Sequence, residues 1–327
     1  MSAFVQEYIY INGIKQYFLH YPVPEADNVV LFLHGGPGNS IAHYLYAILP
    51  KSRKYHFVCY DQRGCGKTQI ANHSRACSLS LEVLLEDLRQ SIEYLKIKYN
   101  FARIVLMGHS WGSLLGLEYI KHYPKSVCAY VGIAQVVCFQ ESEKIAYRHN
   151  MELLQNISDK KHQSKILKAL KRLEGYPEIL SDTNAYRLIA KFRALQAKIG
   201  SIGLKDSNAK GLFAVMKHSP VFSWRDVLVA LGAWRVNRHL VATLAQYDTR
   251  DFLDFEVPMY FVLGGQDYQG VSAVAQQYFE NINAPYKQCY VLENARDLLA
   301  LEGTELFSKI VWEIIESKAT SDNIESK

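Results

Sequence analysis

The 327-residue sequence predicts an α/β fold, in which a mostly parallel eight-stranded sheet is flanked by helices and carries an inserted helical cap. Short apolar runs alternate with helical patterns over most of the chain, which is typical of parallel strands joined by helical crossovers. A segment with the pattern of an antiparallel hairpin precedes them. Between about residues 139 and 236 the apolar runs give way to helical patterns with charged faces. We therefore expect a core of residues 1–138 and 237–327 around a cap of residues 139–236.

The first two strands are expected in a hairpin between Phe4 and Tyr21, where two alternating segments flank Asn12-Gly13. Asparagine and glycine both adopt positive φ readily, as a tight hairpin turn requires. The other six strands are predicted from apolar runs with the length of buried strands. These runs are Val29–Leu33, His56–Tyr60, Arg103–Met107, Val127–Val137, Val257–Leu263 and Gln288–Leu292.

Helices are predicted between the strands. The clearest has apolar residues at intervals of three and four, which form one stripe on a helix. These residues are Leu81, Leu84, Leu85, Leu88, Ile92 and Leu95. Further helices are expected at Leu114–Tyr123, Val271–Asn281 and Glu305–Ser317.

Composition argues against several classes of protein. The net charge of +5 is spread among acidic residues, and the densest basic stretch, Lys160–Arg172, has leucines at helical core spacing, so no nucleic-acid partner is expected. Met1–Ile14 lacks the pattern of a secretory signal, and apolar runs of about ten residues are too short to span a bilayer. The six cysteines show no metal-ligand spacing. We expect a cytoplasmic protein with no membrane partner and no bound metal.

One motif indicates a serine nucleophile. Gly108-His109-Ser110-Trp111-Gly112 follows a predicted strand and precedes a predicted helix, which is the context that a Gly-x-Ser-x-Gly motif needs. Small residues flank the serine because the turn is sharp and lifts the hydroxyl above the edge of the sheet. A chance match in an ordinary strand-to-helix turn is the alternative, and the strand and helix on either side argue against it. The sequence predicts Ser110 as the nucleophile.

A glycine-rich loop, His34-Gly35-Gly36-Pro37-Gly38, follows the first strand after the hairpin. Such a loop lets backbone N–H groups approach a developing oxyanion without interference from side chains. The predicted donors are the N–H groups of Gly35, Gly36 and Trp111. A phosphate-binding loop is the alternative, but the lysine and hydroxyl residue of a P-loop are missing and the glycine spacing differs from a dinucleotide fingerprint.

Taken together, these motifs and Asp61-Gln62-Arg63-Gly64-Cys65-Gly66 resemble the α/β-hydrolases of the proline iminopeptidase-like group over nearly the whole chain. The resemblance implies Ser110 as nucleophile, Asp267 in Gly264-Gly265-Gln266-Asp267-Tyr268 as the acid of the triad, and a cap that selects the substrate. It also implies release of N-terminal residues, often proline, from short peptides, or hydrolysis of a related amide or ester. The partner is then a small peptide or small molecule, with no metal or organic cofactor.

The resemblance fails at one position. Similar proteins carry the catalytic histidine after the last strand, where this chain has Asp297, and no histidine follows Asp267. Glu293-Asn294 and Glu302 fix the register on either side. The ordinary pKa of aspartic acid is about 2.6 units below that of histidine, so Asp297 is a weaker base with a shorter reach. We expect an incomplete triad with weak or altered hydrolysis. The alternative is a pseudoenzyme that binds a small molecule or peptide under the cap.

Four further interpretations concern charged residues and histidines. Arg296 is expected to neutralise the facing carboxylates of Asp267 and Asp297. Glu141 and Glu143 are candidates for binding a substrate amino group, although acidic residues also favour an ordinary helix start. His34 and His109 are expected to serve packing and loop hydrogen bonds. A substitute base from the cap is a less favoured possibility, for which the candidates are His218 and His239.

Overall fold

The computed structural model of the protein describes residues 4–48, 54–72, 79–202, 209–298 and 304–317. Its strands are β1 (Val5–Ile11), β2 (Ile14–Tyr21), β3 (Asn28–Leu33), β4 (Tyr55–Tyr60), β5 (Ile104–His109), β6 (Val127–Ile133), β7 (Met259–Gly264) and β8 (Lys287–Leu292). They form one sheet in the order β1-β2-β4-β3-β5-β6-β7-β8. Strands β3 to β8 run parallel, whereas β2 pairs antiparallel with both β1 and β4. The predicted fold class is confirmed.

The helices of the described part of the chain lie between these strands and after the last one. They are α1 (Leu45–Ile48), α2 (Gly66–Asn72), α3 (Leu81–Tyr99), α4 (Trp111–His122), α5 (Phe139–Gln155), α6 (Lys160–Lys171), α7 (Ala185–Ile199), α8 (Ala209–Lys217), α9 (Trp224–Val236), α10 (Arg238–Ala245), α11 (Ser272–Asn281) and α12 (Thr304–Ile315). None of the helices in the described ranges has the length and apolar character needed to cross a membrane.

The hairpin has the turn that its sequence predicts. Ile11 pairs with Ile14, and the two residues between them, Asn12 and Gly13, have φ of 45° and 78°. Both values lie in the left-handed region, which suits a right-twisted hairpin. The hairpin is tied to helix α3 because the side-chain amide of Asn12 donates to Asp87 at 2.8 Å.

Strand β6 ends four residues before the predicted Val137. Ala134, directly after the strand, has a φ of 46°, and this left-handed residue turns the chain out of the sheet. Val136 and Val137 are buried all the same. An apolar run therefore marks burial here, but it does not mark where the strand hydrogen bonds stop.

Helices cover both faces of the sheet. Alternate residues of β3 point to opposite sides, so that Leu31 and Leu33 join one apolar cluster and Val30 and Phe32 join the other. The first cluster includes buried residues of α3, α4 and α11, and the second includes residues of α1 and α12. Helices α5 to α10 lie along the chain between β6 and β7, where the sequence predicts helices without strands.

Candidate active site

Ser110 lies at the sharp turn between β5 and α4. Its φ of 49° and ψ of −116° are rare for a residue with a side chain, because Cβ then crowds the neighbouring backbone. The backbone N–H of Ser110 donates to the carbonyl oxygen of Ile133 at 2.9 Å, which fixes the turn to the end of β6. The serine is thus held in a strained conformation at the carboxyl end of the sheet.

The glycines on either side of Ser110 are required by space. A Cβ at Gly108 would lie 2.3 Å from the carbonyl oxygen of Gly112, and a Cβ at Gly112 would lie 2.3 Å from that of Leu33. Both contacts are with backbone atoms, which have little room to move. The Gly-x-Ser-x-Gly pattern therefore reflects the close approach of α4 to β3 and β5.

The glycine-rich loop lies beside this turn. Gly36 has a φ of 123°, and an added Cβ there would lie 2.5 Å from the backbone nitrogen of Gly38. A Cβ at Gly35 would lie 2.9 Å from Nδ1 of His109, the residue before the serine. Gly35 and Gly36 line the same cavity as Ser110. Trp111 is the first residue of α4, where helical N–H groups have no partner within the helix, but it is not among the described residues that line the cavity.

His34 holds this loop in place. Its Nε2 accepts from the backbone N–H of Gln62 at 3.0 Å, so the ring proton is on Nδ1, which donates to the carbonyl oxygen of Gly35 at 2.9 Å. Burial lowers the pKa of His34 to about 4, because the charged ring would be desolvated. The histidine is therefore neutral at physiological pH, which agrees with the structural role expected for it.

Gln62 joins the glycine-rich loop to the turn of Ser110. Its side-chain amide donates to the carbonyl oxygen of His34 at 3.2 Å, and its Oε1 accepts from the indole N–H of Trp111 at 3.0 Å. The neighbouring Asp61 accepts from Ser40 at 2.5 Å and from the backbone N–H of Lys67 at 2.6 Å. The Asp-Gln-Arg motif thus positions the site through hydrogen bonds.

Asp267 follows β7 and is buried, with 3% of its surface exposed. Its Oδ1 accepts from the backbone N–H groups of Gln269 at 2.7 Å and Gly270 at 3.0 Å. Its Oδ2 is buried without a hydrogen-bond partner among the described residues. Burial, and after it the charge of Asp297, raises the pKa of Asp267 to about 7.

Asp297 lies in the loop after β8 and lines the cavity with Ser110. Its Oδ1 is buried and, within the described ranges, has no hydrogen-bond partner. Burial raises the pKa of Asp297, and the charge of His109 acts in the opposite direction. The structure thus brings Ser110, Asp267 and Asp297 to one end of the sheet, with two carboxyl groups close enough to influence each other.

His109 fixes the loop of Asp297 through its ring. The ring Nε2 lies 2.8 Å from the backbone carbonyl oxygen of Asp297, and because a carbonyl can only accept, Nε2 carries the proton. His109 therefore spans the space between Gly35 and the backbone of Asp297. This arrangement supports the expected structural role of His109.

The cavity in front of Ser110 has a volume of about 360 Å³, which suits a small ligand. Much of its wall is apolar and comes from helices α5, α7, α9 and α10, through Phe139, Ile189, Val229, Ala230 and Leu244. The glycine loop, Ser110 and Asp297 supply polar groups at the sheet end.

Comparison with known proteins agrees with this geometry. The family model of the α/β hydrolase fold matches residues 28–170. The crystal structure of proline iminopeptidase from Mycobacterium smegmatis superimposes with a TM-score of 0.69 at 16% identity, over 97% of this chain and 99% of that one. The chain has the α/β-hydrolase fold.

Other proteins similar to this chain include a probable aminopeptidase, YbaC, from Bacillus subtilis. It is 27% identical over 313 residues, which cover 94% of this chain and 95% of the relative. A proline iminopeptidase-related protein from Thermus thermophilus gives a TM-score of 0.57 at 20% identity, over 98% of this chain and 99% of that one. The predicted resemblance to proline iminopeptidase-like α/β-hydrolases is confirmed.

The two candidate glutamates lie away from the cavity wall, which Ser142 lines between them. Glu143 is fully buried, and its carboxylate accepts from the guanidinium of Arg193 and from the hydroxyl of Tyr176. The carboxylate is thus already paired inside the protein. Arg193, from α7, is the charged residue that this region brings to the cavity wall.

Arg193 also takes the role that the sequence suggests for Arg296. Its charge lowers the pKa of both Asp267 and Asp297, against the effect of burial. Arg296 is partly buried and does not belong to the described residues that line the cavity. Sequence reasoning missed Arg193 because it lies in a helix rich in basic residues, with no motif around it.

The two histidines considered as substitute bases are not among the described residues that line the cavity. His218 is exposed and its Nδ1 donates to the carbonyl oxygen of Ala214 at 2.7 Å, whereas His239 lines a separate surface cleft. The cavity instead contains His43, which sequence reasoning missed. Its Nε2 lies 3.4 Å from Asp226, and burial lowers its pKa.

Proposed function

We propose that this protein is a serine hydrolase of the proline iminopeptidase type, whose triad is incomplete because Asp297 stands at the histidine position. It releases N-terminal residues from short peptides, or hydrolyses a related amide or ester, at a weak or altered rate. The observation that carries the proposal is Ser110 in a strained turn, in one cavity with the glycine loop and Asp297. Kinship with a probable aminopeptidase over 94% of the chain supports the reaction class.

In this proposal Ser110 attacks the carbonyl carbon of the substrate. The N–H groups of Gly36 and Trp111, with Gly35 as a further donor, stabilise the oxyanion that forms. Such donors contribute most when they are fixed before the reaction begins. The bonds from His34 and Gln62 supply that rigidity, since they hold the loop and the start of α4 from both sides.

The proton of Ser110 passes to Asp297, directly or through a water molecule. An ordinary aspartate is a weak base, but burial raises the pKa of Asp297 towards the range that a general base needs. Asp267 takes the place of the acid beside it, with a pKa of about 7. Below that pH the pair retains a proton, so we expect the rate to rise as the pH rises through 7.

Helices α5 to α9 act as the cap in this proposal. Their apolar side chains limit the cavity to about 360 Å³, which favours a short substrate. Arg193 adds a positive charge to the cavity wall, and its guanidinium is already paired with the carboxylate of Glu143. An apolar side chain next to the scissile bond would fit this lining better than a charged one.

A pseudoenzyme is the second candidate. The observation in its favour is that the ring of His109 is bonded to the backbone of Asp297, so the histidine nearest in sequence to the serine does not take the part of the base. In this case the protein binds a small molecule or peptide under the cap, and Ser110 acts as a hydrogen-bonding group.

Steady-state hydrolysis of a panel of aminoacyl anilides, including proline, separates the two candidates. The wild-type chain is compared with Ser110→Ala, and labelling by a fluorophosphonate is measured in parallel. A hydrolase loses both its rate and its labelling in the variant. If the wild-type chain neither turns over nor becomes labelled, yet gains thermal stability with a ligand, the binding protein is the better description.

A further inference from the structure

The outer face of helix α9 is apolar and exposed. Trp224, Leu228 and Leu231 have 65%, 70% and 82% of their surfaces exposed. Their spacing of four and three residues places them on one stripe of the helix. Phe213 of α8 extends the stripe, with its ring centroid 6.0 Å from that of Trp224. Large apolar side chains grouped in this way are uncommon on a surface that meets only water.

The inner face of the same helix has a different role. Asp226, Val229 and Ala230 line the cavity of Ser110. Asp226 is buried and bonded to the ammonium of Lys67 at 2.9 Å, and it caps the helix through the backbone N–H of Ser223. The helix is thus anchored from inside. The outer stripe is not needed for that attachment.

The chain segment that carries the stripe is rich in cations. Between residues 209 and 245 the sequence contains one acidic residue, Asp226, which is buried. Among the residues of this stretch whose exposure the structure describes, the exposed cations are Lys217, Arg225, Arg235 and Arg238. Arg235 lies four residues after Leu231 and continues the stripe. The face therefore combines an apolar centre with cations around it.

We infer that this face docks on an anionic lipid surface. An amphipathic helix lies in the headgroup region when its apolar side chains enter the acyl boundary and its cations meet the phosphates. Tryptophan is favoured at that depth because its ring is apolar with one polar edge. A second copy of the chain is a poorer occupant, since two like-charged faces would meet.

Docking of this kind needs no membrane-spanning segment. The sequence-based expectation of no membrane partner depended on the shortness of the apolar runs, which excludes spanning and leaves surface binding open. Docking through α8 and α9 would bring a wall of the cavity to the lipid surface. The inference does not depend on the hydrolase activity, because lipid binding is measured without turnover.

Flotation of the full chain with vesicles tests the inference. Vesicles of phosphatidylcholine alone are compared with vesicles that also contain phosphatidylglycerol, at low and at high salt. We expect binding to the mixed vesicles at low salt, with loss of binding when Trp224→Ser, Leu228→Ser and Leu231→Ser are combined. Arg225→Gln and Arg235→Gln should each weaken binding about fivefold. The matched control is Ile97→Ser, because Ile97 is 81% exposed on α3 beside Lys96 and Lys98.

Circular dichroism and thermal unfolding of each variant establish that it is folded. Three results would overturn the inference. The first is that the wild-type chain does not float with the mixed vesicles at low salt. The second is that the triple serine variant floats as well as the wild type. The third is that Ile97→Ser weakens binding as much as the triple variant. A wild-type dimer that the triple variant dissociates, without any vesicle binding, would assign the face to a second copy of the chain.

Discussion

The two sides of the cavity differ in how their polar groups are bonded. Around Ser110, the bonds from His34 and Gln62 fix the glycine loop and the start of α4. On the other side, one oxygen of Asp267 and one of Asp297 are buried without partners among the described residues. Stabilising an oxyanion needs only fixed donors, whereas proton transfer needs a group with a suitable pKa. In the proposed hydrolase, the hydrogen-bonded loop and turn meet the first requirement, and Asp297 at the histidine position alters the second.

Asp297→His should produce the largest change, because it replaces a weak carboxylate base with an imidazole. A positioned general base contributes about 10²- to 10⁴-fold, and kcat/KM for an aminoacyl anilide should rise by about that factor. Asp297→Asn is the matched control, since it removes the carboxylate without adding a base. A histidine variant no faster than the asparagine variant would place residue 297 outside the triad.

On the nucleophile side, Gly112→Ala should destabilise the fold by about 1–3 kcal/mol, because the new Cβ would lie against the carbonyl oxygen of Leu33. Labelling of Ser110 should fall as well. The control is Gly232→Ala in helix α9, where nothing lies within 4 Å of the added Cβ. The free energy of unfolding of this variant should exceed that of the wild type by up to about 1 kcal/mol. Urea unfolding measures both, and equal midpoints for the two variants would argue against a sterically fixed turn.

The pH dependence of stability examines the acid side. In the folded protein the pKa of Asp267 is about 7, whereas the pKa of an aspartic acid in the unfolded chain is about 3.9. The stabilisation is therefore complete below the lower value and is lost as the pH rises through the higher one. The free energy of unfolding should fall by at most about 1.4 kcal/mol per pH unit in that window. Asp267→Asn should flatten the curve, and an unchanged slope in this variant would refute the assignment.

The smallest effect is expected from Arg193→Gln, made together with Glu143→Gln so that no buried carboxylate loses its cation. Without the positive charge, the pKa values of the two cavity carboxyls should rise. The pH curve of fluorophosphonate labelling should move upwards by about one unit. Arg187→Gln, an exposed position on the same helix, should leave the curve in place. A curve that stays in place would mean that Arg193 does not act on the pair, and a shift to lower pH would contradict the sign of its effect.

Local patterns predicted much of the fold and the nucleophile side of the site. The Asn12-Gly13 turn and the glycines around Ser110 are set by neighbouring residues, so short motifs are enough to find them. The predicted end of β6 was wrong because Val136 and Val137 are buried beyond the sheet. An apolar run does not show whether its residues are buried within a strand or after it. The other predicted strands and helices begin and end within a few residues of the observed bounds.

The residues that line the cavity from the helices were harder to predict. Arg193 meets Glu143 fifty residues away, and His43 meets Asp226 across a much longer stretch of chain. Such pairs depend on how helices pack on the sheet, and no spacing along one helix reveals them. The sequence therefore suggested free glutamates where the structure has a buried ion pair.

The loop after β8 is held by its main chain. The ring of His109 bonds to the carbonyl oxygen of Asp297, and the N–H of Gln266 bonds to that of Ala295. Neither bond involves the side chain at position 297. Because both bonds use main-chain oxygens, a different residue at position 297 would leave them in place. We expect a single substitution there to change the chemistry of the cavity while the loop keeps its path, and an engineer could install a non-natural base at the same place.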